Sequence, residues 1–281
     1  MSSRRRPGRP TRRRGVGLKL YGLTVFLFLY FPMVIVLIFS FSPTKTMVGM
    51  QGVTLRWYEE LFRDRGLLNA LWHTVVIGLS SVSIAVVLGV AGAFFVTRVH
   101  FPGKEVFRTL VLLPYILPGI IMGISLLIFI RNFGIRLSWF TVLLGHVSFT
   151  VPIVMFQIMA RVARMGPNYQ AAAMDLGANP AQAFWYVTLP MIRTAIIGAA
   201  LLAFTVSFDE IVISFFLTGS AWMTLPVFIY GMLRFGLSPK VYAISTIILG
   251  LSLALVMLMA RYTGRTGEVQ AVRKRRGDGV D

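Results

Sequence analysis

Apolar residues in this chain come in long runs rather than in alternation. Six runs, at about 20–41, 71–96, 108–130, 140–160, 192–217 and 241–261, are separated by short polar or basic stretches. A helix needs about 20 predominantly apolar residues to cross a bilayer, and each run meets that length. The pattern predicts an all-α membrane protein with six transmembrane helices. The predicted layout is a basic disordered tail (1–19), a six-span membrane domain (20–262) and a second basic tail (263–281). The first run is too long for the apolar core of a signal peptide, and no small-residue cleavage site follows it. It is therefore expected to remain as a span.

Composition supports the membrane reading. Of 281 residues, 56% are apolar and only 14% charged, with a mean hydropathy of +0.75. A soluble domain carries roughly 25% charged residues. There is no cysteine, which excludes disulfide, thiolate and zinc-thiolate chemistry. The net charge of +18 invites a nucleic-acid reading, but its placement argues against one. With the N-terminus inside, the inner segments hold 20 of the 28 Lys and Arg residues and the outer segments 8. That asymmetry orients a membrane protein with both termini in the cytoplasm. The basic tails have no interleaved aromatics and no nucleic-acid module, so no nucleic-acid partner is expected.

One polar interruption is unusually well punctuated. In "GPNYQAAAMDLGANPAQAFWYVTLP", Pro167 or Asn168 offers a helix start and Gly177 a stop. Asn179 can then cap a second helix with Pro180 at its first position, where a missing N–H costs nothing. Pro190 is expected to open the fifth span in the same way. The prediction is two short helices turning at Gly177 on the inner surface. Ala172 and Ala173 form a small face that another protein can approach, and Phe184, Trp185, Tyr186 and Val187 are candidate interface anchors. The plainer reading is an ordinary loop containing a helix.

These residues carry a resemblance. Ala172, Ala173, Gly177, Val187, Leu189 and Pro190 fall on the spacing E-A-A-x3-G-x9-I-x-L-P. The pattern resembles the cytoplasmic loop of permease subunits in bacterial ATP-binding-cassette importers. Ala171 stands where that family has glutamate, and Asp175 is the only acid nearby. The strings "LRWYEELFRD", "LLPYILPGIIMGI", "SFDEIVISFFLTG" and "LPVFIYGMLRFGLSPKVYAIST" are similar to the spermidine/putrescine branch, and more closely to its C-type permease. The resemblance implies a type I importer permease fold and a coupling helix that includes Ala171, Ala172, Ala173, Asp175, Gly177, Leu189 and Pro190. It implies a second permease subunit, two ATP-binding subunits and an extracytoplasmic solute-binding protein. It also implies alternating access, with a polyamine or another small solute, such as an opine or amino-acid-like compound, as cargo. The chain has no G-x-x-x-x-G-K-[ST], so no cofactor is expected here and ATP would be bound by the partner ATPase.

Candidate pathway residues follow from cost. Asp209 and Glu210 are the only acids within the six runs. A mid-span acid costs roughly 2.5–3.5 kcal/mol on insertion scales, so it normally faces protein or water. The pair is read as a cation site in the fifth span; an interhelical hydrogen bond or ion pair is the plainer alternative. On one helix, neighbouring residues point about 100° apart, so one of the two is expected to face the pathway. Pro114 and Pro118 are expected to break the third span, either as part of a transport site or as a packing kink. Tyr115 between them, and Trp222 and Tyr230 in the outer stretch 218–240, are aromatic candidates for the pathway. Residues 55–64 read as an interfacial helix.

His73, His100 and His146 show no metal-ligand spacing and are read as incidental. Ser125 with His146 raises an intramembrane serine protease, but the glycine-rich serine motif of that class is absent. A self-contained secondary transporter is opposed by the lack of an internal repeat.

Overall fold

The computed structural model describes residues 12–44, 52–166, 168–219, 222–234, 239–254 and 257. The described residues divide into two compact units, one up to residue 63 with 239–249, the other 64–234 with 250–254.

In the first unit, α1 (Arg12–Phe39) starts two residues after Pro10 and runs unbroken through Pro32. The expected tail 1–19 is thus already helical from Arg12. Residues 1–11 of that tail lie outside the described residues. The short helix α2 (Arg56–Arg63) does more than lie in an interface. Its Trp57 and Leu61 are buried. Trp57 Nε1 donates to the Ser42 carbonyl at 2.8 Å, and Tyr58 shares a 2.7 Å hydrogen bond with the Ser40 hydroxyl. Glu60 accepts from Arg56 at 2.8 Å and pairs with Lys240 at 3.0 Å.

In the second unit, α3 (Arg65–Arg98) opens on Asp64, whose carboxylate accepts from the Gly66 and Leu67 amides. Two of the four orphan N–H groups at the helix start are satisfied this way. Helices α3, α6 (Trp139–Arg164) and α8 (Pro180–Phe208) enclose the core, which includes Ile77, Ala85, Val154, Ile158, Ile192 and Ala203. Gly89 lets α3 and α6 touch: a Cβ there would lie 2.9 Å from the Met155 amide and from Val154.

Four described helical stretches are long and apolar enough to span: Lys19–Phe39, Arg65–Arg98, Trp139–Arg164 and Pro180–Phe208. The expected third span is two helices, α4 (Lys104–Ile116) and α5 (Gly119–Asn132), bent by 102°. Counted as one broken span, they make five. Pro114 sits inside α4 without ending it, and the break falls at Pro118. Leu117, with ψ 140°, takes the extended backbone that a residue before proline prefers. The expected sixth span, 241–261, begins within α11 (Pro239–Ala254), and its end lies outside the described residues. The tail 263–281 lies outside them as well.

The fifth span also departs from expectation. The helix begins at Pro180, not 192, and ends at Phe208; α9 (Val212–Leu217) follows as a separate turn and a half, then α10 (Leu225–Arg234). Pro190 therefore lies within α8 rather than opening it. The helix tolerates it because 183–188 form a π turn, in which Leu189 N–H bonds to Phe184 O, five residues back. The widened turn makes room where a proline ring would meet the carbonyl of the preceding turn.

Candidate functional site

The segment 168–190 adopts the corner its punctuation predicts. Helix α7 (Asn168–Asp175) ends with Gly177 at φ +93°. Ala178 N–H bonds to Ala173 O at 3.1 Å and Gly177 N–H to Met174 O at 2.9 Å. These two bonds form a Schellman stop, which needs a left-handed residue at Gly177. Asn179 Oδ1 accepts the Gln182 amide at 2.8 Å while Gln182 Oε1 accepts the Asn179 amide at 2.9 Å. This reciprocal cap starts α8 with Pro180 in its first turn. Gln170 Nε2 donates to Thr188 Oγ1 at 2.7 Å and ties α7 to the π turn.

The exposed face of this corner is not the predicted pair. Ala171, Ala172, Asp175, Gly177 and Pro190 are exposed, whereas Ala173 and Leu189 are half-buried. Sequence reasoning missed Leu176, which is 90% exposed at the tip of the turn. Of the expected anchors, Trp185 and Tyr186 are exposed, and Phe184 packs edge-on against Phe94 at 5.3 Å.

Asp209 and Glu210 do not lie on a helix. They occupy the break between α8 and α9. Asp209 terminates α8, its N–H bonding back to Thr205 O at 3.2 Å, and it is exposed. Glu210 turns the other way and caps α9, its Oε1 accepting the Ile213 amide at 2.8 Å. The two carboxylates thus have different work, so the expectation of a 100° offset on one helix is corrected. The C-terminal carbonyls of α8 carry partial negative charge, and the Asp209 carboxyl group stands at the same place. Such a spot favours a cation.

Both broken spans meet here. A Cβ on Gly123 of α5 would lie 2.7 Å from the Phe216 ring of α9, and one on Gly145 of α6 would lie 2.5 Å from Leu217. Just past the acids, Ile211 and Val212 line an apolar hollow of about 270 Å³ with Ile120, Phe215, Phe216 and Tyr230. Tyr230 meets Phe215 edge-on at 5.9 Å. The structure brings Tyr230 to this place but not the other two aromatics. Tyr115 is exposed on α4. Trp222 stacks on His73 at 4.1 Å and stands 6.3 Å from Trp139.

His146, read as incidental, is the anchor of the break. It is 1% exposed. Its Nδ1 meets Ser207 Oγ of α8 at 2.7 Å, and its Nε2 meets Ser214 Oγ of α9 at 2.8 Å. The Ser214 hydroxyl donates to Glu210 O at 2.9 Å, so it accepts Nε2–H, and Nδ1 accepts from Ser207. One neutral imidazole therefore pins both sides of the break to α6. With both ring nitrogens engaged there and Ser125 exposed on α5, the protease pairing is not formed. Among the described residues, no group of three His, Asp or Glu side chains is placed to hold a metal.

No family profile matches the chain. It is similar to two curated proteins of Escherichia coli (strain K12). The putrescine transport system permease protein PotI is 35% identical over 255 residues, covering 88% of this chain and 90% of that one. The spermidine/putrescine transport system permease protein PotC is 33% identical over 251 residues, covering 88% and 95%. The solved structure of a bacterial ABC transporter that imports the acidic polysaccharide alginate superposes with a TM-score of 0.66. Identity is 17%, over 92% of this chain and 99% of that one. An amino acid ABC transporter superposes with a TM-score of 0.59 at 18% identity, over 76% and 100%. The structural likenesses carry the fold; identity of a third over nearly the whole length carries the family. The chain belongs to the permease subunits of ATP-binding-cassette importers, in the branch that includes the putrescine and spermidine/putrescine permeases.

Proposed function

We propose that this chain is the permease subunit of an importer for an aliphatic polyamine, with 168–190 as its coupling element. In this reading six spans, broken in the third and fifth, place both termini and the Gly177 corner in the cytoplasm. Each of two ATP-binding subunits seats one coupling element, a sister permease completes the path, and a solute-binding protein delivers cargo from outside. ATP binding closes the ATPase pair, the corner transmits the motion, and the spans open outward. ATP is held by the partners, and this chain supplies no cofactor.

Substrate class rests on one observation above the others: an exposed carboxylate, Asp209, at a helix C-terminus beside an apolar hollow. An ammonium group suits the carboxylate and carbonyls; a methylene chain suits Ile211, Val212 and Phe215. The names of the relatives point to the same class of solute. Glu210 is committed to capping α9, so Asp209 is the first choice for cation contact. The test is ATP-driven uptake of labelled putrescine and spermidine by the reconstituted complex, supplied with a panel of binding protein–solute pairs. Asp209→Asn is expected to lower uptake at least tenfold while assembly persists, and Glu210→Gln to weaken the break itself. Wild-type uptake by the double substitution rules out a pathway role. Stimulation by a neutral or anionic solute alone rules out the polyamine assignment.

A further inference from the structure

A second hollow of about 440 Å³ opens where α3 ends, α4 begins and α6 finishes. Its lining divides by chemistry. Val96, Met159 and Val162 give an apolar wall, and Arg98, Lys104 and Arg108 bring three cations. Glu105 is the only acid in the lining. Its oxygen stands 3.8 Å from Arg108, with the Glu105 side chain largely in solvent and that of Arg108 partly so. An exposed pair at that separation contributes little. The Arg108 guanidinium lies 5.6 Å from the Phe156 ring centroid, which holds it beside α6. Arg98 Nε is shut off from solvent and has no hydrogen-bond acceptor among the described residues. A buried N–H without an acceptor is costly, and nothing in the described fold relieves it.

We propose that this hollow binds the phosphodiester headgroup of an anionic phospholipid from the inner leaflet. Arg98, Lys104 and Arg108 face the phosphate oxygens, and the first acyl carbons lie along Val96, Met159 and Val162. Three features favour a lipid over a free ion. The apolar wall has no use for inorganic phosphate. The volume far exceeds what one small anion fills. Arg98 closes a span and Lys104 opens one, which sets the cations at the depth of headgroups. The leaflet named here rests on the orientation proposed above; the phosphate chemistry does not.

The test uses the full chain reconstituted in vesicles of equal phosphatidylglycerol and phosphatidylcholine, extracted mildly and weighed by native mass spectrometry. Wild-type protein is expected to retain phosphatidylglycerol in clear preference to phosphatidylcholine. Arg98→Gln, Lys104→Gln and Arg108→Gln should each reduce that retention about fivefold. Arg98→Lys should preserve most of it, which separates lost charge from a damaged fold. Glu105→Gln, which removes the one acid, should increase retention, a direction that misfolding does not produce. Equal retention of the two lipids, or indifference to these substitutions, overturns the site. Displacement of the lipid by millimolar inorganic phosphate assigns the site to free phosphate and overturns the lipid reading. Orientation is read separately by labelling His100→Cys with a membrane-impermeant thiol reagent. Labelling from outside overturns the leaflet while leaving the lipid measurement intact.

Discussion

Gly177 isolates a backbone effect from a side-chain effect. Its φ is +93°, and a Cβ built there meets nothing within 4 Å. Substitution therefore adds no clash within the described fold, and its cost is almost wholly conformational. A left-handed backbone costs an ordinary L-residue roughly 1–2 kcal/mol, and a β-branched residue is a true outlier there. Valine is expected to cost about 3 kcal/mol, near the upper end for strained backbone. Asparagine, similar in size, tolerates this region several-fold better and should cost about 1 kcal/mol. If the corner opens instead, the bonds from Ala178 to Ala173 and from Gly177 to Met174 are lost, at about 0.5–1.5 kcal/mol each. A shift of one or two kcal/mol changes a two-state ratio by about 5–30-fold. In the reconstituted complex, ATP-driven uptake should therefore fall in the order wild type, Asn, Ala, Val, with ATPase activity persisting in the uncoupled variants. Full uptake by Gly177→Val refutes the reasoning. Equal losses in Asn and Val would place the cost in side-chain bulk rather than in φ.

Three further outcomes are expected. His146→Leu leaves the Ser207 and Ser214 hydroxyls without their imidazole, at about 1–3 kcal/mol each; thermal unfolding in detergent should drop by several degrees, with His146→Gln recovering part of the loss. Gly89→Val presses a side chain onto the Met155 amide and Val154 and should cost about 1–3 kcal/mol by overpacking, read as a lower yield of monodisperse protein. The Glu60 carboxyl is held below its usual value of 4.5, first by its hydrogen bond from Lys240 and then by that from Arg56. A lowered folded pKa means that the contribution is present above about pH 4.5 and is lost as pH falls through the folded value. Glu60→Gln should flatten that acid limb of stability while leaving neutral-pH uptake unchanged.

The corner at 168–182 was legible because its chemistry is local. Gly177, Asn179 and Pro180 act on their own backbone within four residues, and sequence carries that fully. The π turn was not legible. A proline at 190 reads the same whether it opens a helix or rides inside one. What decides is whether the preceding turn can widen, and here Phe184 on Phe94 and Gln170 on Thr188 hold it wide. The break at 209–211 was half legible. The charge of two acids inside an apolar run stands out, but the run itself reads as one continuous helix. The single bond from the Ile213 amide to Glu210 has no reciprocal partner, because Ile213 carries no side-chain acceptor, so the sequence lacks the capping-box signature that Asn179 and Gln182 show. His146 escaped because a lone histidine in a span has no local signature. Its partners lie 61 and 68 residues away, and only the packing of three helices brings them to it.

The continuity of α8 changes how motion passes along the chain. As predicted, the coupling element and the fifth span were separate pieces joined at Pro190. As folded, α8 runs from Pro180 at the corner to Phe208 beside Asp209 without a gap. At about 1.5 Å per residue, that is a lever of roughly 42 Å. A continuous helix transmits displacement better than a jointed one, so under the proposed function a push at the corner reaches the cation position to the extent that the helix between them stays stiff. Compliance is then confined to two places: the widened turn at 183–188 and the break at 209–211. The π turn is braced by Gln170, and the break by His146. Whichever brace yields first determines where along α8 a push at Gly177 is absorbed. His146 grips both sides of the break through a pair of serines, so loosening it should uncouple α9 from the lever while leaving the corner seated. Loss of uptake with ATPase stimulation intact is the signature of that failure, and it differs from the strained corner of Gly177→Val by leaving α7 and the turn at Gly177 undisturbed.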